Sequence, residues 1–234
     1  MSSGDLDDRS LAIVRHIARL RLSFTEAIRF VPCRGADPEA RLRALKASDH
    51  IGARAGYGGN RVAYVLGRRG AAAVGAGRRA GEAAGPAAEP RHLAVFSYCM
   101  LKKRSRVRLL NEEVAELFGN ARMPGNDYCL EYTSRTKRVE SIYAPGAATP
   151  PTEAARMAAK RIRSLWGQET LRPWLINGVL GLAILVHERE RAARLNAAID
   201  EERVDGHRLS HFASVNVEVV PGLHELSEAL SVLA

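Results

Sequence analysis

The spacing of apolar residues predicts three helices within the first fifty residues. Residues 9–20 place apolar side chains every three to four positions, which is typical of a helix with one buried face. Ser23 and Glu26 have the spacing of a capping box, so a short second helix is expected to begin there. Asp37 followed by Pro38 is a preferred helix start, which predicts a third helix of about ten residues.

The pattern changes to β-prone residues between residues 51 and 66. Glycines interrupt this stretch at Gly56, Gly58 and Gly59, which predicts a hairpin of two short strands. Three helices followed by a basic hairpin is the order of a winged helix-turn-helix, whose third helix enters the major groove of DNA. We therefore expect residues 1–74 to form such a domain.

Beyond this segment the pattern predicts a linker and a second domain. Residues 75–90 are mostly Gly, Ala and Pro without an apolar period, which is typical of a flexible linker. In residues 91–234, helices are predicted at 91–101, 111–119, 152–166 and 188–199, and strands at 107–110, 128–133, 138–143, 179–186 and 215–220. This order predicts a three-layer α/β domain, so the fold class is α+β or α/β.

Charge is concentrated in the first third of the chain. The 234 residues carry a net charge of +9, with an isoelectric point near 9.9. Residues 9–79 hold fifteen basic and four acidic residues, whereas residues 91–234 hold twenty basic and seventeen acidic ones. The arginine usage of a GC-rich genome would not concentrate the excess in one segment. The distribution therefore favours double-stranded DNA as a partner.

The third predicted helix contains the candidate base-reading residue. With Leu42 and Leu45 facing inward, helical geometry turns Arg43 outward among small residues. Arg43 is the candidate for a guanine edge, and Arg41 and Lys46 are candidates for phosphate contacts. The alternative is a solvated amphipathic helix without a ligand. On the hairpin, the residues predicted to contact phosphates, sugar or the minor groove are Arg54, Tyr57, Asn60 and Arg61.

Two carboxylates in the second domain have the pattern of a nuclease site. Asp127 and Glu140 lie at or in neighbouring predicted strands, as do the acidic residues that hold magnesium and activate water in such enzymes. Ile142 stands where that pattern needs a lysine, so we expect a degenerate site. His207 and His211 are spaced for one helical face, but without further ligands we expect neither a metal nor a cofactor.

The cysteines and the apolar segments indicate the cellular compartment of the protein. Cys33, Cys99 and Cys129 are far apart and form no C-x-x-C pair, which predicts reduced thiols. No signal peptide is visible after Met1, and the apolar run at 174–186 is too short to cross a bilayer. We expect a cytoplasmic protein without a membrane partner.

The chain resembles the replication-relaxation family of bacterial plasmids and mobile elements. The likeness covers most of the chain and, besides the opening helices and hairpin, is carried by LGRRG at 66–70, RHLAV at 91–95, PGND at 124–127, Glu140 and ERER at 188–191. The resemblance implies a winged helix beside a restriction-endonuclease-like domain. It also implies a role in plasmid replication, transfer or transcriptional control, with a second domain that is catalytically incomplete.

These observations lead to one expected function and two alternatives. We expect a transcriptional repressor of a mobile element, which binds an inverted repeat as a homodimer held by the α/β domain. The alternatives are a magnesium-dependent nuclease and an accessory protein at a replication or transfer origin. The operator and any small-molecule effector stay open.

Overall fold

The computed structural model describes residues 6–58, 61–76, 85, 88–102, 104–119, 121–125, 127–132 and 136–233. Helices and sheets are mixed along the chain, as the predicted fold class requires. The chain divides into two compact units, one formed by residues 1–96 and 221–234 and the other by residues 97–220. The division differs from the predicted boundary at 75–90, because it falls inside a helix and returns the C-terminus to the first unit. Most of the predicted linker lies outside the described residues.

The elements follow one another in this order. The helices are α1 (Asp8–Leu20), α2 (Thr25–Phe30), α3 (Glu39–Ala47), α4 (Arg68–Ala73), α5 (Glu89–Met100), α6 (Asn111–Phe118), α7 (Pro151–Trp166), α8 (Arg172–Ile176), α9 (Arg189–Glu201) and α10 (Leu226–Ser231), with a 3-10 turn at Leu209–His211. The strands are β1 (Leu22–Phe24), β2 (Ile51–Tyr57), β3 (Arg61–Leu66), β4 (Ser105–Leu109), β5 (Tyr128–Tyr132), β6 (Lys137–Tyr143), β7 (Leu180–Val186), β8 (Arg203–Val204), β9 (His207–Arg208) and β10 (Ser214–Val219).

The first unit packs its helices around one apolar core. Ile13, Val14 and Ile17 form the buried stripe of α1 that the sequence predicts, and they share this core with Leu42 and Leu45 of α3. Strands β1, β3 and β2 form an antiparallel sheet in that order. The three predicted helices and the predicted hairpin are confirmed, whereas β1 was not predicted.

The capping box predicted at the start of α2 is wrong. Ser23 lies in β1 opposite Tyr64 of β3, and its hydroxyl lies 2.9 Å from Nε2 of His16. Its side chain therefore does not cap α2, and the Glu26 carboxylate instead accepts a hydrogen bond from Arg61. Pairing with β3 holds the backbone of Ser23 extended, and this pairing was invisible in the local sequence.

The C-terminal segment belongs to the first unit. Leu226 and Leu230 of α10 are fully buried, and Nε of Arg61 donates a hydrogen bond to Oγ of Ser227 at 3.1 Å. Gly58 permits this packing, because a Cβ there would lie 2.0 Å from the carbonyl oxygen of Leu223. Residues that the sequence assigned to the second domain thus pack beside the hairpin.

The second unit is built on a five-stranded sheet of order β10-β7-β6-β5-β4. Strand β5 is antiparallel to both of its neighbours, β4 and β6. Strands β6, β7 and β10 run parallel, with α7 and α9 in the connections. Strand β7 is buried along its whole length, which confirms the prediction of a strand covered on both faces. One face is apolar and packs against α7 through residues such as Ala155, Ala158 and Ile162. The other face carries charges.

Candidate functional site

The outward face of α3 is small and basic. Leu42 and Leu45 are each 2% exposed, whereas Arg43 and Lys46 are exposed. The other exposed side chains of this face are Ala40, Ala44 and Ala47. This is the orientation that the helical period predicts. Within the described residues, neither Arg43 nor Lys46 forms an ion pair, so both cations face solvent.

Arg41 has a different environment from the other two cations of α3. Its guanidinium forms an ion pair with the carboxylate of Asp7, at the start of α1. Asp7 also caps α1, because Oδ1 accepts a hydrogen bond from the Ser10 amide at 2.7 Å. The Ser10 amide and the Arg41 guanidinium lower the pKa of Asp7 to about 2. Arg41 therefore connects α3 to α1.

The predicted contact residues of the hairpin are engaged within the first unit. Tyr57 is buried, and its hydroxyl donates a hydrogen bond to Glu89, whose carboxylate also lies 3.2 Å from Nη1 of Arg54. Burial, followed by the bond to Glu89, raises the pKa of Tyr57. Arg61 binds Glu26 as described above. Arg54 and Arg61 thus have carboxylate partners within the unit, and their predicted contacts with DNA stay a prediction. Asn60 lies outside the described residues.

The charged face of the second unit comprises alternate residues of β4, β5, β6 and β10. In the strand register, Arg108 lies opposite Cys129 and Arg106 opposite Glu131, and Cys129 lies opposite Glu140. Side chains at these positions point to the same side of the sheet. The pattern of arginines at every second position from residue 104 signals this face, but the predicted strand began at residue 107 and missed it.

Asp127 is bound by an arginine. Nη2 and Nε of Arg108 lie 2.7 and 3.0 Å from the same oxygen, Oδ1 of Asp127, and both residues are buried. The backbone carbonyl of Asp127 accepts a hydrogen bond from the Ile142 amide at 2.8 Å. The carboxylate of Asp127 is therefore already paired with a cation of the same chain, the guanidinium of Arg108.

Glu140 is the second predicted carboxylate, and two hydrogen-bond donors and one arginine approach it. The Tyr98 hydroxyl donates a hydrogen bond to Oε2, while Nδ2 of Asn216 lies 3.3 Å and Nη2 of Arg138 3.2 Å from Oε1. Burial and the charge of Glu140 raise the pKa of Tyr98, which keeps its proton. Gly181 leaves room for Arg138, since a Cβ there would lie 2.4 Å from Nη2 of Arg138.

Arg106 links the two edges of the sheet. Its fully buried side chain lies 2.8 Å from Glu131 on β5 and 2.7 Å from Glu218 on β10, and its guanidinium stacks on the Tyr98 ring at 3.7 Å. Strands β4 and β10 are four strand spacings apart, about 19 Å in a flat sheet. Arg106 and Glu218 would not meet across a flat sheet, so this sheet curls around the charged face.

The remaining candidates do not form a metal centre. His207 lies in β9 and His211 in the 3-10 turn, not on one helix as predicted, and their rings stack at 4.7 Å. Among the residues that the structure describes, no group of three or more His, Cys, Asp and Glu could hold a metal ion. Cys33, Cys99 and Cys129 are free and buried, with Sγ of Cys99 3.7 Å from Sγ of Cys129.

Comparisons of the chain with protein-family models, with curated proteins and with solved structures give no match. No helix among the described residues is long and apolar enough to cross a membrane.

Proposed function

We propose that the chain is a sequence-specific DNA-binding regulator that represses transcription on a bacterial plasmid or other mobile element. The observation that carries the proposal is the outward face of α3, where Arg43 and Lys46 stand among exposed alanines. Small side chains allow a helix to enter the major groove deeply, and an arginine there forms two hydrogen bonds with a guanine edge.

The architecture of the first unit supports this proposal. Its order α1-β1-α2-α3-β2-β3, with β3 in the middle of the sheet, is compatible with a winged helix that presents α3 to DNA. The basic excess of residues 9–79 supplies the attraction to phosphates that non-specific binding requires. Because Arg54, Tyr57 and Arg61 already have partners within the unit, we assign base reading to α3.

We assign the second unit to assembly of a cytoplasmic homodimer. Its antiparallel strands β4 to β6, followed by parallel β7, are compatible with a restriction-endonuclease-like domain. Asp127 has Arg108 beside it and Glu140 has Tyr98 and Asn216, which favours a structural role for both carboxylates over the nuclease alternative. Two copies of the chain would match the two halves of an inverted repeat.

The proposal is tested by selecting bound sites from a randomised duplex library with the full chain. On the selected duplex, Arg43→Ala is expected to weaken binding by about 1–3 kcal/mol and to relax preference at one base pair. Lys46→Ala is expected to weaken selected and random duplexes alike. Arg189→Ala, which removes an exposed helical arginine of the second unit, is the matched control and is expected to keep the preference.

Light scattering on the selected duplex is expected to give two chains per duplex. Equal losses on selected and random duplexes for Arg43→Ala would remove its role as base reader. A library that yields no enriched site would contradict the proposed function itself.

A further inference from the structure

Helix α7 of the second unit carries a row of cations on its outer face. Arg156, Lys160 and Arg163 are exposed and occupy positions i, i+4 and i+7, which lie along one stripe of a helix. The opposite side of α7 is buried and apolar, with Ala155, Ala158 and Ile162 fully covered. The apolar face fixes the rotation of the helix, so the cationic row cannot turn inward.

The three side chains of this cationic row differ from the structural arginines of the same unit. Arg106 and Arg108 are buried against carboxylates, and Arg191 donates hydrogen bonds to backbone carbonyls at 2.6 to 3.0 Å. Within the part of the chain that the structure describes, no side chain of the cationic row forms a hydrogen bond or an ion pair. Like charges at this spacing repel one another, so the charges of the row do not stabilise the helix.

The cationic row borders an open groove of about 650 Å³. Met157 and Ala159 contribute apolar surface to the groove, and Glu202 is its carboxylate. The lining therefore carries the three cations of the row against one carboxylate, and its field favours an anionic ligand.

We propose that the cationic row binds the phosphate backbone of duplex DNA without regard to sequence. From residue 156 to residue 163 the helix advances about 10 Å at 1.5 Å per residue. One DNA strand carries a phosphate about every 3.4 Å along the axis, so this length spans about three phosphate steps and each of the three cations can meet a different phosphate. This inference rests on the proposed function, because it gives the second unit a share in holding the DNA that α3 reads.

Salt dependence of binding by the full chain tests the inference on a selected and on a random duplex. The triple variant Arg156→Ala, Lys160→Ala, Arg163→Ala keeps a good helix former at each exposed position. The slope of log affinity against log salt is expected to become shallower by about 2.7, or about 0.9 for each phosphate that the variant no longer neutralises. Single variants are each expected to give about a third of this change, equally on both duplexes.

The matched control removes the same charge from three other exposed positions of the unit, namely Lys137, Arg189 and Arg194. Its slope is expected to stay at the wild-type value. The inference is overturned by an unchanged slope in the α7 variant, or by an equal change of slope in the control. In either case the proposed function stands as long as the wild-type chain binds the selected duplex. Loss of self-association with an unchanged slope would assign the row to a second copy and also overturns it. A wild-type chain that binds no duplex overturns both proposals.

Discussion

Arg106 offers a direct test of the charged face of the second unit. Its guanidinium is enclosed by Glu131, Glu218 and the ring of Tyr98, with no exposure of the side chain. Within the described residues, Arg106→Ala leaves Glu131 and Glu218 with only the exposed guanidinium of Arg104 at ion-pair distance. Removing one partner of a buried ion pair typically destabilises a protein by about 3–5 kcal/mol, because the remaining charge has lost its buried partner and does not regain full solvation.

Arg104, the residue immediately before β4, provides a matched control. It approaches the same two carboxylates at 3.2 and 3.9 Å, but its side chain is 61% exposed. Exposed ion pairs contribute about 0–1 kcal/mol, since water screens them and a long side chain loses entropy on pairing. The two alanine variants remove the same residue type from nearby positions of the chain. The difference between their free energies of unfolding therefore reports how much the burial of an ion pair matters.

Urea unfolding followed by tryptophan fluorescence is the appropriate assay. Both tryptophans, Trp166 and Trp174, lie in the second unit, so the signal reports its unfolding. With a urea slope of about 2 kcal/mol per molar, a destabilisation of about 4 kcal/mol lowers the midpoint by about 2 M for Arg106→Ala. For Arg104→Ala we expect a shift below about 0.5 M.

A third variant distinguishes the effect of charge pairing from that of packing. Arg106→Met combined with Glu131→Gln and Glu218→Gln removes all three charges and keeps most of the side-chain volume. It is expected to recover part of the stability, because no carboxylate is left unpaired. Equal urea midpoints for the Arg106→Ala and Arg104→Ala variants would refute the argument that the burial of Arg106 makes its ion pairs important for stability.

Two further predictions concern the partly buried His16 and the carboxylates Asp127 and Glu140. Burial lowers the pKa of His16 in the folded chain to about 4, whereas its pKa in the unfolded chain is near 6.5. Below pH 6.5 the unfolded chain therefore binds more protons than the folded chain. The free energy of unfolding is expected to fall by about 3 kcal/mol from pH 7 to pH 4. Urea unfolding followed by circular dichroism should show a smaller pH slope for His16→Gln. Supercoiled and single-stranded DNA with magnesium or manganese are expected to stay uncut, with the Asp127→Ala, Glu140→Ala variant as control. Nicking that this variant loses would favour the nuclease alternative.

The sequence predicted those features that depend on neighbours within one or two helical turns. The orientation of α3 follows from Leu42 and Leu45, and β7 follows from an uninterrupted apolar run. The environment of the hairpin was missed, because Tyr57 meets Glu89 and Arg61 meets Ser227, residues that are distant along the chain. An arginine in the sequence indicates affinity for anions. Whether a carboxylate of the same chain already pairs with that arginine can be seen only in the folded structure.

The same reasoning applies to Asp127 and Glu140. Their spacing along the chain was compatible with a metal site, and the pairing of β5 with β6 does bring the two segments side by side in the sheet. A divalent cation at Asp127 would have to displace Arg108, whose guanidinium is buried against that carboxylate. Breaking a buried ion pair costs several kcal/mol. The guanidinium of Arg108 therefore supplies the positive charge beside Asp127 that a metal ion would supply in a nuclease site.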